Sequence, residues 1–327
     1  MTAEIDTLMR EYNGAVPGAS LLIVHDGHAV VRRAWGMADI EAGIKATPAT
    51  NYRLASVTKP FTAAAILLLA EDRKLTLDDK VNRWLPSLPG AAEPVTIRHL
   101  LTHTAGLVDY EDVMVAGDTR QMHDEDVLAL LGRQDTTYFT PGSSYRYSNS
   151  GYALLALIVE KASGMSFGTF LRQRIFMPLR MTETVAHAEG KSVVTARAYG
   201  YTKQPAGWIR KDQSTTSAVL GDGGIYSSID DMAKWDAAWY DSRLLSDESR
   251  RLALTPHTTT DEAEVQYGYG WRITGGTVWH SGETSGFRNV IVRLPAQRVT
   301  VVILTNRDDP QPYRTALAIA SRFTAQE

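Results

Sequence analysis

The chain has 327 residues, 34 Lys plus Arg against 37 Asp plus Glu, 44% hydrophobic residues and no cysteine. Disulfides, thiolate metal sites and a cysteine nucleophile are excluded, and a net charge of -3 argues against a general nucleic-acid binder, which needs a cationic surface. The longest apolar stretch, Ala63 to Ala70, is far short of a bilayer span, so no transmembrane segment is expected. The first residues lack a basic region followed by an apolar one, so the chain as written reads as cytoplasmic, or as periplasmic if a leader has been removed. Oligomeric state leaves no signal.

In chain order, Glu4 to Tyr12 reads as a short amphipathic helix ended by Asn13-Gly14. Two β-favouring runs follow, Ala19 to Val24 and Ala29 to Trp35. The Asp26-Gly27 pair between them predicts a tight hairpin, because such turns need positive φ at both central residues. From Lys59 to about Trp239 helical patterning dominates, with helices expected at Phe61 to Asp72, Ile97 to His103, Glu125 to Leu131, Gly151 to Ala162 and Met232 to Trp239. Near the carboxyl end, Asn289 to Leu294 and Arg298 to Thr305 read as strands, and Pro312 to Phe323 as a closing helix. The expected class is α+β: an antiparallel sheet built from both chain ends and flanked by terminal helices, with a mostly helical region inserted. Approximate boundaries are 1–58 and 256–327 for the sheet domain and 59–255 for the helical one.

Three motifs carry chemistry. Ser56-Val57-Thr58-Lys59 puts a hydroxyl and an amine about one helical turn apart, on one face. A serine can become a nucleophile this way without histidine, provided burial or a nearby cation makes the amine a base. The start of the following helix adds unpaired N–H groups, among them that of Ser56, suited to a developing oxyanion. A plain Ser cap beside a surface Lys has the same spacing. Next, Tyr147 and Asn149 form the only Y-x-N of the chain, in a turn before a helix, where a phenol and an amide are placed to face one cleft. A core-packed Tyr and a capping Asn are the plainer alternative. Last, His280-Ser281-Gly282-Glu283 precedes the terminal strands. Gly282 permits close backbone approach, and the Glu283 N–H is a second candidate oxyanion donor. A Gly-rich turn with a surface His would look alike.

Other features carry less. His25 and His28 bracket the hairpin turn without a third ligand, and His99 and His103 lack the Glu of a zinc-helix motif, so no metal site is expected. Tyr267 to Trp271 reads as core aromatics in a strand. Asp109-Tyr110-Glu111 is expected to line the pocket, whose walls should lie mainly in loops 108–124 and 185–217.

The three motifs, in this order, resemble the serine β-lactamase and penicillin-binding protein superfamily. The similarity is to the branch with class C β-lactamases, D-alanyl-D-alanine carboxypeptidases, D-aminopeptidases and family VIII carboxylesterases. Supporting segments are Leu100 to Leu107, Leu77 to Val81 and Gly223 to Met232. The resemblance implies a serine hydrolase with Ser56 as acylated nucleophile and Lys59 as its proton acceptor. Tyr147 would protonate the leaving group and then activate water, and Asn149 would bind the substrate. His280, Ser281 and Gly282 would line the edge strand, and Ser56 and Glu283 N–H groups would form the oxyanion hole. It implies a small ester, amide or β-lactam substrate and no cofactor. His280 stands where penicillin-recognising members carry lysine. That departure predicts weaker anchoring of a substrate carboxylate, with Arg288 as a candidate compensating charge, and favours neutral esters or amides over the alternatives, a β-lactamase, a D-alanyl-D-alanine carboxypeptidase or D-aminopeptidase, or a penicillin-binding or acyl-sensing protein that acylates without turnover.

Overall fold

A computed structural model describes residues 2–115, 117 and 119–323. The ends of the expected sheet segments, 1 and 324–327, and two residues of the expected pocket loop, 116 and 118, lie outside the described residues. The fold is α+β. Its main sheet has eight antiparallel strands: β1 (Ala19–His25), β2 (His28–Trp35), β3 (Thr258–Thr259), β4 (Gln266–Tyr267), β5 (Arg272–Thr274), β6 (Thr277–Thr284), β7 (Phe287–Leu294) and β8 (Val299–Thr305), in the spatial order β3-β4-β5-β6-β7-β8-β1-β2. The last long strand thus pairs with the first, Ala19 opposite Thr305. Asp26 and Gly27 both take positive φ, as the Asp-Gly pair predicts.

The sheet is covered on both sides, which is why its central strands are almost continuously apolar. Leu21, Ile23, Val290, Val301 and Ile303 face the terminal helices Thr2–Leu8 and Tyr313–Ala320 through Ile5, Met9, Ala316 and Ile319. On the other face Leu22, Ile291, Val302 and Leu304 join a larger core with the helix Lys59–Glu71. That helix is buried from Lys59 through Leu69, so its apolar residues need no single stripe.

The structure adds elements that periodicity does not reveal. Strands of two or three residues, Tyr52–Arg53, Val185–Ala186 and Ile225–Ser227, form a small sheet beside Ser56, and Tyr201–Gln204 pairs with Gly207–Arg210. Such strands are too short to show a period of two. Ser56 lies in a 3-10 turn, Ala55–Thr58, ahead of the α-helix proper, and Asn149 begins the helix Asn149–Ser163 rather than preceding it. No single helix among the described residues is long and apolar enough to cross a membrane.

One buried ion pair ties the helical layer to the sheet. Asp236 on the helix Ile229–Ala237 accepts from Arg293 Nε on β7 (2.8 Å) and from Thr300 Oγ1 on β8 (2.7 Å), and both charged residues are buried. Removing only the carboxylate strands a guanidinium in the core. Asp236→Ala should therefore cost about 3–5 kcal/mol in urea unfolding. An apolar replacement of both partners should cost far less.

Candidate active site

Ser56 is presented by a tight turn. Ala55 has φ +50°, a conformation that a residue with a Cβ adopts only when its surroundings hold it. The N–H of Val57 closes the turn onto the Leu54 carbonyl, and the helix from Lys59 follows with Pro60 in its first turn, where no N–H is needed.

Lys59 is fully buried, and its Nζ meets three oxygens: Ser56 Oγ at 3.0 Å, Asn149 Oδ1 at 2.8 Å and the Asp222 carbonyl at 3.1 Å. None of the three is a carboxylate. An ammonium has three N–H donors for these contacts; a neutral amine has two, and a lone pair that accepts from the serine hydroxyl. The cage therefore accommodates both protonation states without moving an atom.

Each wall of that cage is fixed from behind. Asp109 Oδ2 accepts from Ser148 Oγ (2.7 Å), Asn149 N (2.8 Å) and Ser150 N (3.3 Å), which satisfies the amides that open the helix Asn149–Ser163. Asn149 Nδ2 donates to Glu111 Oε1 at 3.1 Å, so the amide expected to bind substrate is a link between Lys59 and a carboxylate. Burial, with Asp109 next in effect, holds the Glu111 carboxyl above the usual range. Asp222 accepts from the Tyr110 hydroxyl (3.1 Å), and burial pushes its carboxyl up to about 7 despite the Lys59 ammonium nearby.

Tyr147 reaches the cage with its ring. The Lys59 Nζ stands 4.9 Å from the ring centroid, His103 packs against the ring at 4.4 Å, and the Arg272 guanidinium lies at 5.5 Å. Arg272 is paired with Glu262. Arg288, expected as the compensating cation, instead donates to the carbonyls of Thr284 and Phe287 at 2.8 Å in its own hairpin.

The edge strand β6 brings in the third motif. A Cβ built on Gly282 would stand 2.1 Å from the Leu54 carbonyl oxygen and 3.1 Å from Val57 N, so only glycine lets β6 lie against the Ser56 turn. Ser56, Glu111, Asn149, Asp222 and Glu283 line one cleft with Arg53. Arg53 is spent on the Ser217 carbonyl. His280, also on β6, is buried with its ring centroid 6.3 Å from that of Tyr147, and its partners fix its tautomer: Nδ1–H donates to the Ser281 carbonyl (2.6 Å), so Nε2 accepts from the Tyr267 hydroxyl (3.0 Å). Burial, then Arg272 and Lys59, drive its pKa well below the ordinary value.

That neutrality has a measurable consequence. Folded His280 stays unprotonated while an unfolded His gains a proton below about 6.5, so its contribution is full above that pH and is lost as pH falls. Asp222 opposes it over much of the same range, so the term is read as a difference. Between pH 6 and 5, wild type should lose about 1.2 kcal/mol relative to His280→Gln in urea unfolding.

Asp109, Glu111, Asp222, His103 and Arg272 thus surround residues that the motifs single out. The Asp109-Tyr110-Glu111 run contains two of them, His103 falls in the Leu100 to Leu107 segment and Asp222 directly precedes the segment from Gly223; Arg272 belongs to no motif. His25 and His28 share no ligand set, and no group of three metal-ligating residues occurs among the described residues.

The family model for Beta-lactamase matches residues 5–326. The chain belongs to that family. Among curated relatives, penicillin-binding protein 4* of Bacillus subtilis (strain 168) is 32% identical over 95% of this chain and 72% of its own length. A D-aminopeptidase of Gluconobacter oxydans (strain 621H) is 28% identical, with 98% of this chain and 61% of the relative covered. The chain thus spans less than two thirds of that second relative. Among solved structures, the octameric penicillin-binding protein homologue from Pyrococcus abyssi superposes with a TM-score of 0.86 at 30% identity, over 100% of this chain and 77% of that one. D-amino acid amidase from Ochrobactrum anthropi SV3 (TM-score 0.83, 24% identity, 99% and 97% covered) shares the fold.

Proposed function

We propose that the protein is a serine hydrolase that works through an acyl-enzyme on small esters or amides. The observation that carries this reading is the 3.0 Å contact between Ser56 Oγ and a buried Lys59 Nζ whose other partners are neutral oxygens. Ser56 Oγ attacks the carbonyl carbon as its proton passes to Lys59 Nζ. The N–H groups of Ser56 and Glu283 take the oxyanion. Collapse of the tetrahedral intermediate expels the alcohol or amine, which receives a proton by way of Tyr147, and water then repeats the sequence to release the acid. No cofactor enters these steps.

The groups at the site offer an anionic substrate little to anchor on. His280 is neutral, Arg53 and Arg288 keep their charge but already donate to backbone carbonyls, and the carboxyl groups of Glu111 and Glu283 line the cleft. The same carboxylates support a second reading, an amidase or aminopeptidase acting on aminoacyl groups with a free ammonium, in keeping with the names of the D-aminopeptidase and D-amino acid amidase relatives. A substrate panel tests both. p-Nitrophenyl butyrate should turn over with kcat/KM at least tenfold above nitrocefin, and D-alanyl p-nitroanilide should exceed its N-acetyl form if the second reading holds. Faster nitrocefin turnover would reverse the assignment toward β-lactams.

A further inference from the structure

A cavity of about 340 Å³ lies away from the cleft, behind the helix Asn149–Ser163, and shares no lining residue with the Ser56 pocket. Its volume falls in the range of small-molecule sites. The floor is apolar, built by Ala156, Leu157, Phe167, Phe176, Ala186 and Leu220. One wall is the π-helical turn Arg172–Phe176, a distortion that recurs at functional sites.

The charges on its walls are unequally committed. Both Asp124 carboxylate oxygens accept backbone amides, from Leu220 at 2.9 Å and Gly221 at 3.0 Å, and burial pushes this carboxyl up to about 8. Glu160 Oε1 accepts from Phe167 N at 2.7 Å. Arg172 and Lys191, both exposed, have no ion-pair partner among the described residues, and Glu125 is the one lining carboxylate without a hydrogen bond among them. Arg172 and Lys191 thus hold donors that no carboxylate of the described residues engages, while Glu160 and Asp124 are turned to backbone amides; two unengaged cations above an apolar floor match an anionic head on an aliphatic chain.

The cavity also touches the catalytic cage. Asp124 holds the first two amides of the helix Leu220–Gly223, the Gly221 carbonyl accepts from Thr62 Oγ1 (2.7 Å), and the Asp222 carbonyl accepts from Lys59. A Cβ on Gly221 would stand 2.2 Å from the Tyr152 carbonyl oxygen, so this short helix has no slack against its neighbour. An occupant pressing on Leu220 therefore acts on the element that supplies one of the three oxygens around Lys59.

We infer that this cavity binds an aliphatic carboxylate, with its chain on the apolar floor and its head at Arg172 and Lys191, and that occupancy alters the reactivity of Ser56. Such an acid is what hydrolysis of an aliphatic ester releases, which would make the site a product sensor. The sensing role rests on the acyl-enzyme reading; the binding does not.

Calorimetric titration of the full chain with sodium decanoate tests the binding without any turnover. One saturable site is expected, at least tenfold weaker in the surface double variant Arg172→Gln/Lys191→Gln and at least tenfold weaker for decylamine. Gly168→Leu should abolish it: a Cβ there makes only ordinary contacts at 3.7 Å with Ala186, so the larger side chain fills the cavity without a backbone clash. No saturable heat with decanoate, equal binding to Gly168→Leu, or preference for decylamine would overturn the site. Saturating decanoate should change the rate of fluorophosphonate labelling of Ser56 at least twofold in wild type and not in Gly168→Leu. An unchanged wild-type rate would overturn the link to Ser56.

Discussion

Lys59→Met is expected to slow acylation of Ser56 by about 10²–10⁴-fold, the range that a positioned general base supplies. Methionine fills nearly the same volume in a fully buried position, so the core keeps its packing while the amine 3.0 Å from Ser56 Oγ, the proposed proton acceptor, is lost. The Asn149 and Asp222 oxygens then lose a donor, at about 1–3 kcal/mol of stability, which a urea titration would report separately. Lys59→Arg sharpens the result. A guanidinium keeps the positive charge and hydrogen-bond donors but is not deprotonated in a protein. If the amine works as a base, both variants lose activity. If only its charge matters, Lys59→Arg retains most of it, and the proton path proposed here is wrong.

The second large effect is expected at Gly282. An added methyl would meet the Leu54 carbonyl oxygen at 2.1 Å, and both contacting atoms are backbone, with no flexible side chain to yield. Either β6 moves away from the Ser56 turn or the turn itself shifts, and either movement separates the Glu283 N–H from the Ser56 N–H. Loss of one oxyanion donor typically costs about 10²–10³ in kcat. Gly282→Ala should fall by at least that factor in kcat with p-nitrophenyl butyrate, and the overpacking should cost about 1–3 kcal/mol of stability. Near-normal kcat in a folded Gly282→Ala protein would remove β6 from the oxyanion hole.

Sequence patterning reached those parts of the molecule that local chemistry determines. The Asp26-Gly27 turn, the apolar β1 and β8 runs and the helix beginning at Lys59 each follow from residues within a few positions of one another. The short strands near Ser56 do not, because two-residue ladders such as Tyr52–Arg53 against Ile225–Ser227 are set by tertiary packing. The candidate site divides in the same way. Ser56 and Lys59 are neighbours on one turn and are visible as a spacing. Asn149 and Asp222 reach Lys59, and Glu111 reaches Asn149, from three separate segments, and these hydrogen bonds arise only when the helices stack. Asn149 in particular looks like a substrate ligand in sequence, yet both ends of its amide are engaged inside the protein. His280 follows the same logic, since neither its burial nor its bond to Tyr267 is coded nearby.

If the Lys59 amine activates the Ser56 hydroxyl, intact-mass measurement after incubation with a fluorophosphonate will register it. A single phosphonyl adduct is expected, mapping to the peptide that contains Ser56, absent in Ser56→Ala and strongly slowed in Lys59→Met. An unmodified wild-type protein, or equal labelling of wild type and Ser56→Ala, would contradict it.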